Sequence, residues 1–236
     1  MSDICWSIYI DIEGFGSKYG NKAKALTPLN GLMEGIFQIG TKKYNDNASR
    51  LFAHHFGDGF VIVSNVEEKC LDRPVAIAIT LMRHVLVSGG VTKASIAEGG
   101  FSDIKDCYPE VVTNHEKNGC ISMGDGLMTI IPVMGTALIN AVDIGKRSPS
   151  GSLLIIDSKD KDRISPDFEA REIENGLHSI NWLKGDQALV AEITDESELN
   201  NPSEEERIKI LLDYIKQNKL KPSWVRTTCF EQGISI

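Results

Sequence analysis

Apolar positions along the chain fall into short blocks whose spacing switches between that of strands and that of helices. Residues 4–12, ICWSIYIDI, are rich in β-branched and aromatic types and partly alternate, which predicts a buried strand. Over residues 27–44, Leu29, Leu32, Met33, Ile36, Phe37 and Ile39 recur at helical spacing, with Thr27 as N-cap and Pro28 as first helical residue. The blocks LFAHHF and FVIVSN flank Gly57-Asp58-Gly59, a hairpin signal because glycine and aspartate tolerate turn geometry. Residues 73–88, RPVAIAITLMRHVLVS, are long and apolar enough for a buried helix, and GGVTKASIAEGGF then predicts a strand ending in glycines. The order to this point is βαββαβ.

Further on, Ala137, Leu138, Ala141 and Ile144 share one face of a helix over residues 133–147, and GSLLIID predicts another strand. Residues 158–176 are dense in charge and poor in apolar side chains, as expected of a solvated excursion. ALVAEI reads as a strand, and PSEEERIKILLDYIKQNKL as a helix with Ser203 and Glu206 in capping-box spacing. The expected organisation is one α/β domain over residues 1–236, with its core over about 4–157. The charged excursion and a C-terminal strand and helix fill 158–236.

Composition narrows the function classes. Hydrophobic residues make up 42% and charged ones 25%, close to the average of soluble globular chains, so a folded core is expected. A formal net charge of -8 disfavours nonspecific nucleic-acid binding and repels anionic membranes. No apolar run reaches the roughly 18 residues of a membrane span, and no signal-type segment opens the chain, so a cytoplasmic location is expected. The five cysteines lack metal-binding spacing and read as reduced thiols, while Trp6, Trp182 and Trp224 read as core or interface anchors.

The candidate chemistry lies in IYIDIEGFG, where Asp11 and Glu13 end an apolar strand beside a glycine turn, and in the hairpin carrying Asp58. If the two strands are neighbours, Asp11 and Asp58 meet, as hard Mg²⁺ or Mn²⁺ requires when water and phosphates fill its other positions. Backbone N–H groups of Gly14, Phe15 and Gly16 can approach a triphosphate without a side-chain clash. The other reading makes both aspartates ordinary turn residues and Glu13 an exposed one.

IDIEGFG resembles the opening motif of class III nucleotidyl cyclases, and HHFGDGFVIVS their Gly-Asp hairpin. SGGVTKASIAEGGF looks like their later strand, and MGTALINAVDI like the Gly-x-Ala-Leu-x-x-Ala helix of divergent bacterial members. The chain is most similar to the pyrimidine cyclases of bacterial Pycsar anti-phage systems. That resemblance implies a ferredoxin-like palm of α+β type, with a central, mostly antiparallel sheet flanked by helices. It implies conversion of UTP or CTP to the cyclic monophosphate, which switches on a separate effector protein. Asp11 and Asp58, with the carbonyl of Ile12, would hold two Mn²⁺ or Mg²⁺ ions, and residues 13–16 would cradle the triphosphate. Each site would be shared across a head-to-tail homodimer.

The chain also departs from the family. His54 stands where purine cyclases carry a base-reading lysine, and Pro132 where they carry a second base-reading carboxylate. Ile139 and Asp143 occupy the positions of the helix's usual asparagine and arginine, leaving Asn140, one residue on, to replace the former. Lys146, Arg147, Arg50 or Lys93 would have to supply the missing positive charge. A catalytically inactive relative that binds a nucleotide or partner is the alternative.

Overall fold

A computed structural model describes residues 4–14, 22–64, 67–104, 107–117, 120–130 and 133–235, with the backbone alone for 22–24. In chain order its first half holds β1 (Cys5–Ile12), α1 (Lys22–Gln38), β2 (Leu51–Phe56), β3 (Gly59–Ser64), α2 (Asp72–Val87) and β4 (Thr92–Gly99). Short elements follow: β5 (Ser102–Asp103), α3 (Glu110–Thr113), β6 (Glu116–Lys117), β7 (Cys120–Met123), β8 (Gly126–Thr129) and β9 (Val133–Met134). Then come α4 (Thr136–Arg147), β10 (Leu154–Asp157), β11 (Ala170–Ile173), β12 (Leu177–Ile180), α5 (Ala188–Glu196), α6 (Glu204–Gln217) and α7 (Pro222–Glu231).

Seven strands form one sheet in the order β11-β12-β10-β4-β1-β3-β2, antiparallel except for β4 beside β10. The segment β4-β1-β3-β2 is the ferredoxin-like βαββαβ palm expected from the sequence. A parallel pair needs a crossover, and α4 supplies it across the sheet face opposite α1 and α2. Because helices cover both faces, β1 is apolar nearly throughout instead of alternating: Trp6, Ile8, Ile10 and Ile12 face the α1 and α2 side. The helix α2 is buried on every side between the sheet and α1, α5 and α6, which is why its sequence is apolar all round.

Several elements differ from the sequence reading. The helix α1 starts at Lys22, with Pro28 inside it, because its buried stripe of Ala25, Leu29, Leu32 and Ile36 begins a turn before the proline. The stripe leaves Met33 and Phe37 exposed, and the last turns widen to a π-helix over Ile39–Lys43. ALVAEI is not a strand: Val190, Ile193 and Thr194 are buried at helical spacing in α5. The stretch 158–176 is not wholly solvated, since Asp160 and Phe168 are buried and Ala170–Ile173 becomes the edge strand of the sheet. Its Arg163 ties it back by pairing with Glu98 and donating to the carbonyl of Glu68. The sheet thus continues past residue 157, and three helices rather than one follow it.

Two buried arginines pin the loop ahead of α5. Arg83 donates to the carbonyls of Trp182, Lys184 and Gly185, and Arg207 to those of Leu183, Pro202 and Gly185. No described helix is long and apolar enough to cross a membrane.

Candidate active site

Side chains alternate along β1, so Ser7, Tyr9 and Asp11 share the face covered by α4. The residue opposite Asp11 on β3 is Gly59, and on β4 it is Lys93. A Cβ on Gly59 would lie 2.3 Å from the carbonyl oxygen of Ile10 and 2.8 Å from the Asp11 Cα. Glycine there lets the two strands close beneath the carboxylate.

Gly57 and Asp58 form the two-residue loop between β2 and β3, with Gly57 at a φ of 66°. The Ile12 N–H donates to the Asp58 carbonyl at 3.2 Å, so the loop folds against the end of β1 and brings Asp58 to Asp11. In extended backbone a residue's N–H and C=O point to the same side, so the Ile12 carbonyl faces the Asp58 loop. Burial, then the charges of Glu13 and Asp58, push the Asp11 carboxyl up to about 7 against the pull of Lys93.

Glu13 is not the exposed bystander expected from the sequence. Its backbone N–H donates to the Val91 carbonyl at 2.9 Å, and its Oε2 accepts the Trp224 indole N–H at 2.6 Å. Burial raises its carboxyl above the ordinary range, while the indole and Lys93 oppose the shift. Gly14 follows at a φ of 73°, in the exposed turn that leaves the strand. Phe15, Gly16 and Pro132 lie outside the described residues.

Tyr9, Asp11, Glu13, Lys93, Ser95 and Lys146 line a cleft of about 220 Å³. Lys93 reaches across to the Pro149 carbonyl at 2.9 Å; burial lowers its pKa, while Glu13 and Asp11 raise it. The other cations considered from the sequence are engaged elsewhere: Arg147 with Asp143 and Asp157, and Arg50 with Asn47 and the ring of Phe52. Lys93 and Lys146 are thus the two of the four that line the cleft with Asp11.

The structure does not bring Asn140 or His54 to this cleft. Asn140, on α4, donates to the carbonyl of Glu98, which pairs with Trp6 near the start of β1. Five residues of strand separate that level from Asp11, about 17 Å. His54 lies on β2 opposite Val61, its ring 6.4 Å from that of Phe101. Its Nε2 is shielded from solvent and has no hydrogen-bond partner among the described residues, and burial lowers its pKa.

The donor set suits a hard divalent cation. Burial lifts Asp11 first and the neighbouring carboxylates add to it, and a cation between Asp11 and Asp58 would relieve that repulsion. Among the described residues no group of three or more His, Cys, Asp and Glu side chains is arranged to hold a metal ion. Two carboxylates and a carbonyl would leave further positions to water and phosphate.

No family model matches the chain, and no curated protein does. In shape it is similar to solved cyclases. A guanylyl cyclase, Cya2, is 11% identical with a TM-score of 0.45, over 75% of this chain and 91% of that one. A bacterial light-regulated adenylyl cyclase is 11% identical with a TM-score of 0.44, over 82% of this chain and 55% of that one. A further structure of a bacterial light-regulated adenylyl cyclase has a TM-score of 0.43 at 11% identity, with 57% of its chain covered.

Proposed function

We propose that this chain is a divalent-metal-dependent nucleotidyl cyclase that converts UTP or CTP to the 3′,5′-cyclic monophosphate and pyrophosphate. The observation that carries the reading is the convergence of Asp11 and Asp58 at the end of β1, held by the Ile12 N–H and by the bare Gly59. Two Mg²⁺ or Mn²⁺ ions held by Asp11, Asp58 and the Ile12 carbonyl would lower the pKa of the ribose 3′-hydroxyl and neutralise the leaving pyrophosphate.

The chain's own contribution is position and charge. Backbone N–H groups from Gly14 to Gly16 would meet the triphosphate, the Glu13 N–H being bonded to the Val91 carbonyl, while Lys93 and Lys146 add positive charge from the cleft wall. The 3′-hydroxyl would lose its proton to solvent water as its oxygen bonds to the α-phosphorus and the bond to the bridging oxygen breaks, and pyrophosphate would leave with that electron pair. Asn140 lies too far from Asp11 to serve the same copy's cleft, and His54 lies two strands away from Asp11 on β2 without lining it, which supports a head-to-tail homodimer in which each copy completes the other's site. Exposed Phe52, Phe56, Met134 and Ile139 support such an interface. The Nε2 of His54, without a hydrogen-bond partner among the described residues, supports a polar base contact different from the lysine of purine cyclases. On the resemblance of its motifs, the product is an anti-phage signal read by a separate effector protein.

One observation favours a second reading, a nucleotide-binding relative without activity. Asp143 stands where the family places its transition-state arginine, and the nearby Arg147 is held by Asp143 and Asp157. Incubating the protein with Mn²⁺ and each of the four ribonucleoside triphosphates, with products read by mass spectrometry, separates the two. Cyclic UMP or cyclic CMP is expected, and Asp58→Ala should lower its formation by about two orders of magnitude or more. Unreacted nucleotide in every tube leaves the binding relative; undiminished activity in Asp58→Ala removes the two-metal assignment.

A further inference from the structure

Lys146 lines the cleft with Asp11 from the last turn of α4. It is exposed, and no hydrogen bond or ion pair engages its ammonium among the described residues. The neighbouring cations are committed: Arg147 to Asp143 and Asp157, and Lys93 to the Pro149 carbonyl. The helix beneath Lys146 is seated on the sheet. The Ser95 hydroxyl donates to the Ala141 carbonyl at 2.7 Å, and a Cβ on Gly145 would lie 3.3 Å from the Ser95 Oγ and 3.8 Å from the Tyr9 Cδ1. Tyr9 and Ser95 oppose each other across β1 and β4, one same-face step before Asp11 opposite Lys93. That step is about 7 Å, which the four-carbon stem of a lysine spans. Asn140, nearer the start of the same helix, lies about 9 Å back along its axis, at the level of Trp6.

We propose that Lys146 is a catalytic residue of its own copy's cleft: its ammonium meets the α-phosphate of a nucleotide held at Asp11 and Asp58 of the same chain, so that α4 serves two sites, its own through Lys146 and the partner's through Asn140. The inference rests on the cyclase reading. The glycine turn begins beyond Glu13, so a triphosphate tail held there leaves the α-phosphate on the Asp11 side, where Lys146 stands. The oxygens of the α-phosphorus carry the charge of the transition state. An ammonium without an internal partner meets that charge at no loss of existing bonds, whereas Lys93 would first have to leave the Pro149 carbonyl. The positive charge absent at Asp143 thus returns within the next turn of the helix, and from the same copy instead of its partner.

The test follows cyclic nucleotide formation by the full chain from UTP and from CTP with Mn²⁺. Lys146→Ala, an exposed change to a good helix former, should lower kcat about a hundredfold with KM within about threefold, and Lys146→Arg should recover activity to within about tenfold of the unmodified chain. A rise in KM at unchanged kcat would make Lys146 a contact for the phosphate tail alone and overturn the inference. The same-copy placement is read by combining Lys146→Ala with Asp58→Ala, each variant carrying its own affinity tag so that mixed dimers are isolated. Both sites of such a dimer lack one group, so no activity should return. Recovery to about half the level of an unmodified dimer, one intact site of two, would give Lys146 to the partner's site and sink the proposal. Product from the unmodified chain together with a fully active Lys146→Ala overturns this inference alone. No product from the unmodified chain overturns it together with the cyclase reading.

Discussion

Gly59 is the residue whose replacement tests the site most sharply. A methyl group there meets backbone atoms of Ile10 and Asp11, which cannot rotate away as a side chain could. Gly59→Ala should force β3 from β1, costing about 2 to 3 kcal/mol in urea denaturation and separating Asp58 from Asp11. A variant with unchanged midpoint and unchanged Mn²⁺ affinity would mean that the strands are less tightly apposed. At this scale the sequence was informative where the determinants are local. Asp11 and Asp58 could be paired in advance because each ends a strand beside a glycine turn, and a hairpin signal made the second strand plain. Glu13 could not be read, because the group that fixes it is an indole at position 224 and no local pattern links the two. Trp224 was visible only as an apolar anchor, its N–H having no partner that sequence can name.

Elements were legible in proportion to the length of their pattern. The buried helix α2 and the β2-β3 hairpin carry long or punctuated signals, and the structure follows them. ALVAEI is six residues, short enough that a helical face and a strand look alike, and only packing against α2 decides between them. The capping box at α6 is present as read, with Ser203 accepting the Glu206 N–H and Glu206 accepting the Ser203 N–H. Ser203→Ala should cost about 1 kcal/mol in the same urea measurement without altering the cleft.

The α1-α2 contact carries a pH dependence. His84 is buried on α2 against Gly35 of α1, with neither ring nitrogen hydrogen-bonded among the described residues. Burial lowers its pKa, and the charge of Glu34 only partly opposes this. The folded chain therefore takes up the proton less readily than the unfolded one. Its contribution is complete above the unfolded pKa of about 6.5 and is lost as pH falls from there through the folded value. Stability compared with His84→Gln across pH 5 to 8 isolates this group, and the unmodified chain should lose ground to the variant on acidification. Parallel curves would assign the acid response elsewhere.

At the scale of the whole molecule, the region beyond residue 157 closes the sheet edge, supplies the helical layer over α2 and sends Trp224 to Glu13. Its role was hidden because charge density marks exposure, while Arg163 pairs its charge with Glu98 in the fold. The same scale separates the two halves of the proposed site. Asn140 lies about 17 Å along β1 from Asp11, so a copy that completes its own cleft would have to rebuild α4. The proposed head-to-tail dimer would need no such change, since each copy would offer its Asp11 end to the other's Asn140 end. Asp58→Ala and Asn140→Ala should then each be inactive alone and complement when mixed. Random exchange makes half the dimers mixed, and each mixed dimer has one intact site of two, so activity should return to about a quarter of the unmodified level. A mixture that stays inactive after subunit exchange, with dimers confirmed by sedimentation, would remove Asn140 from the site. Full activity of Asn140→Ala by itself would do the same.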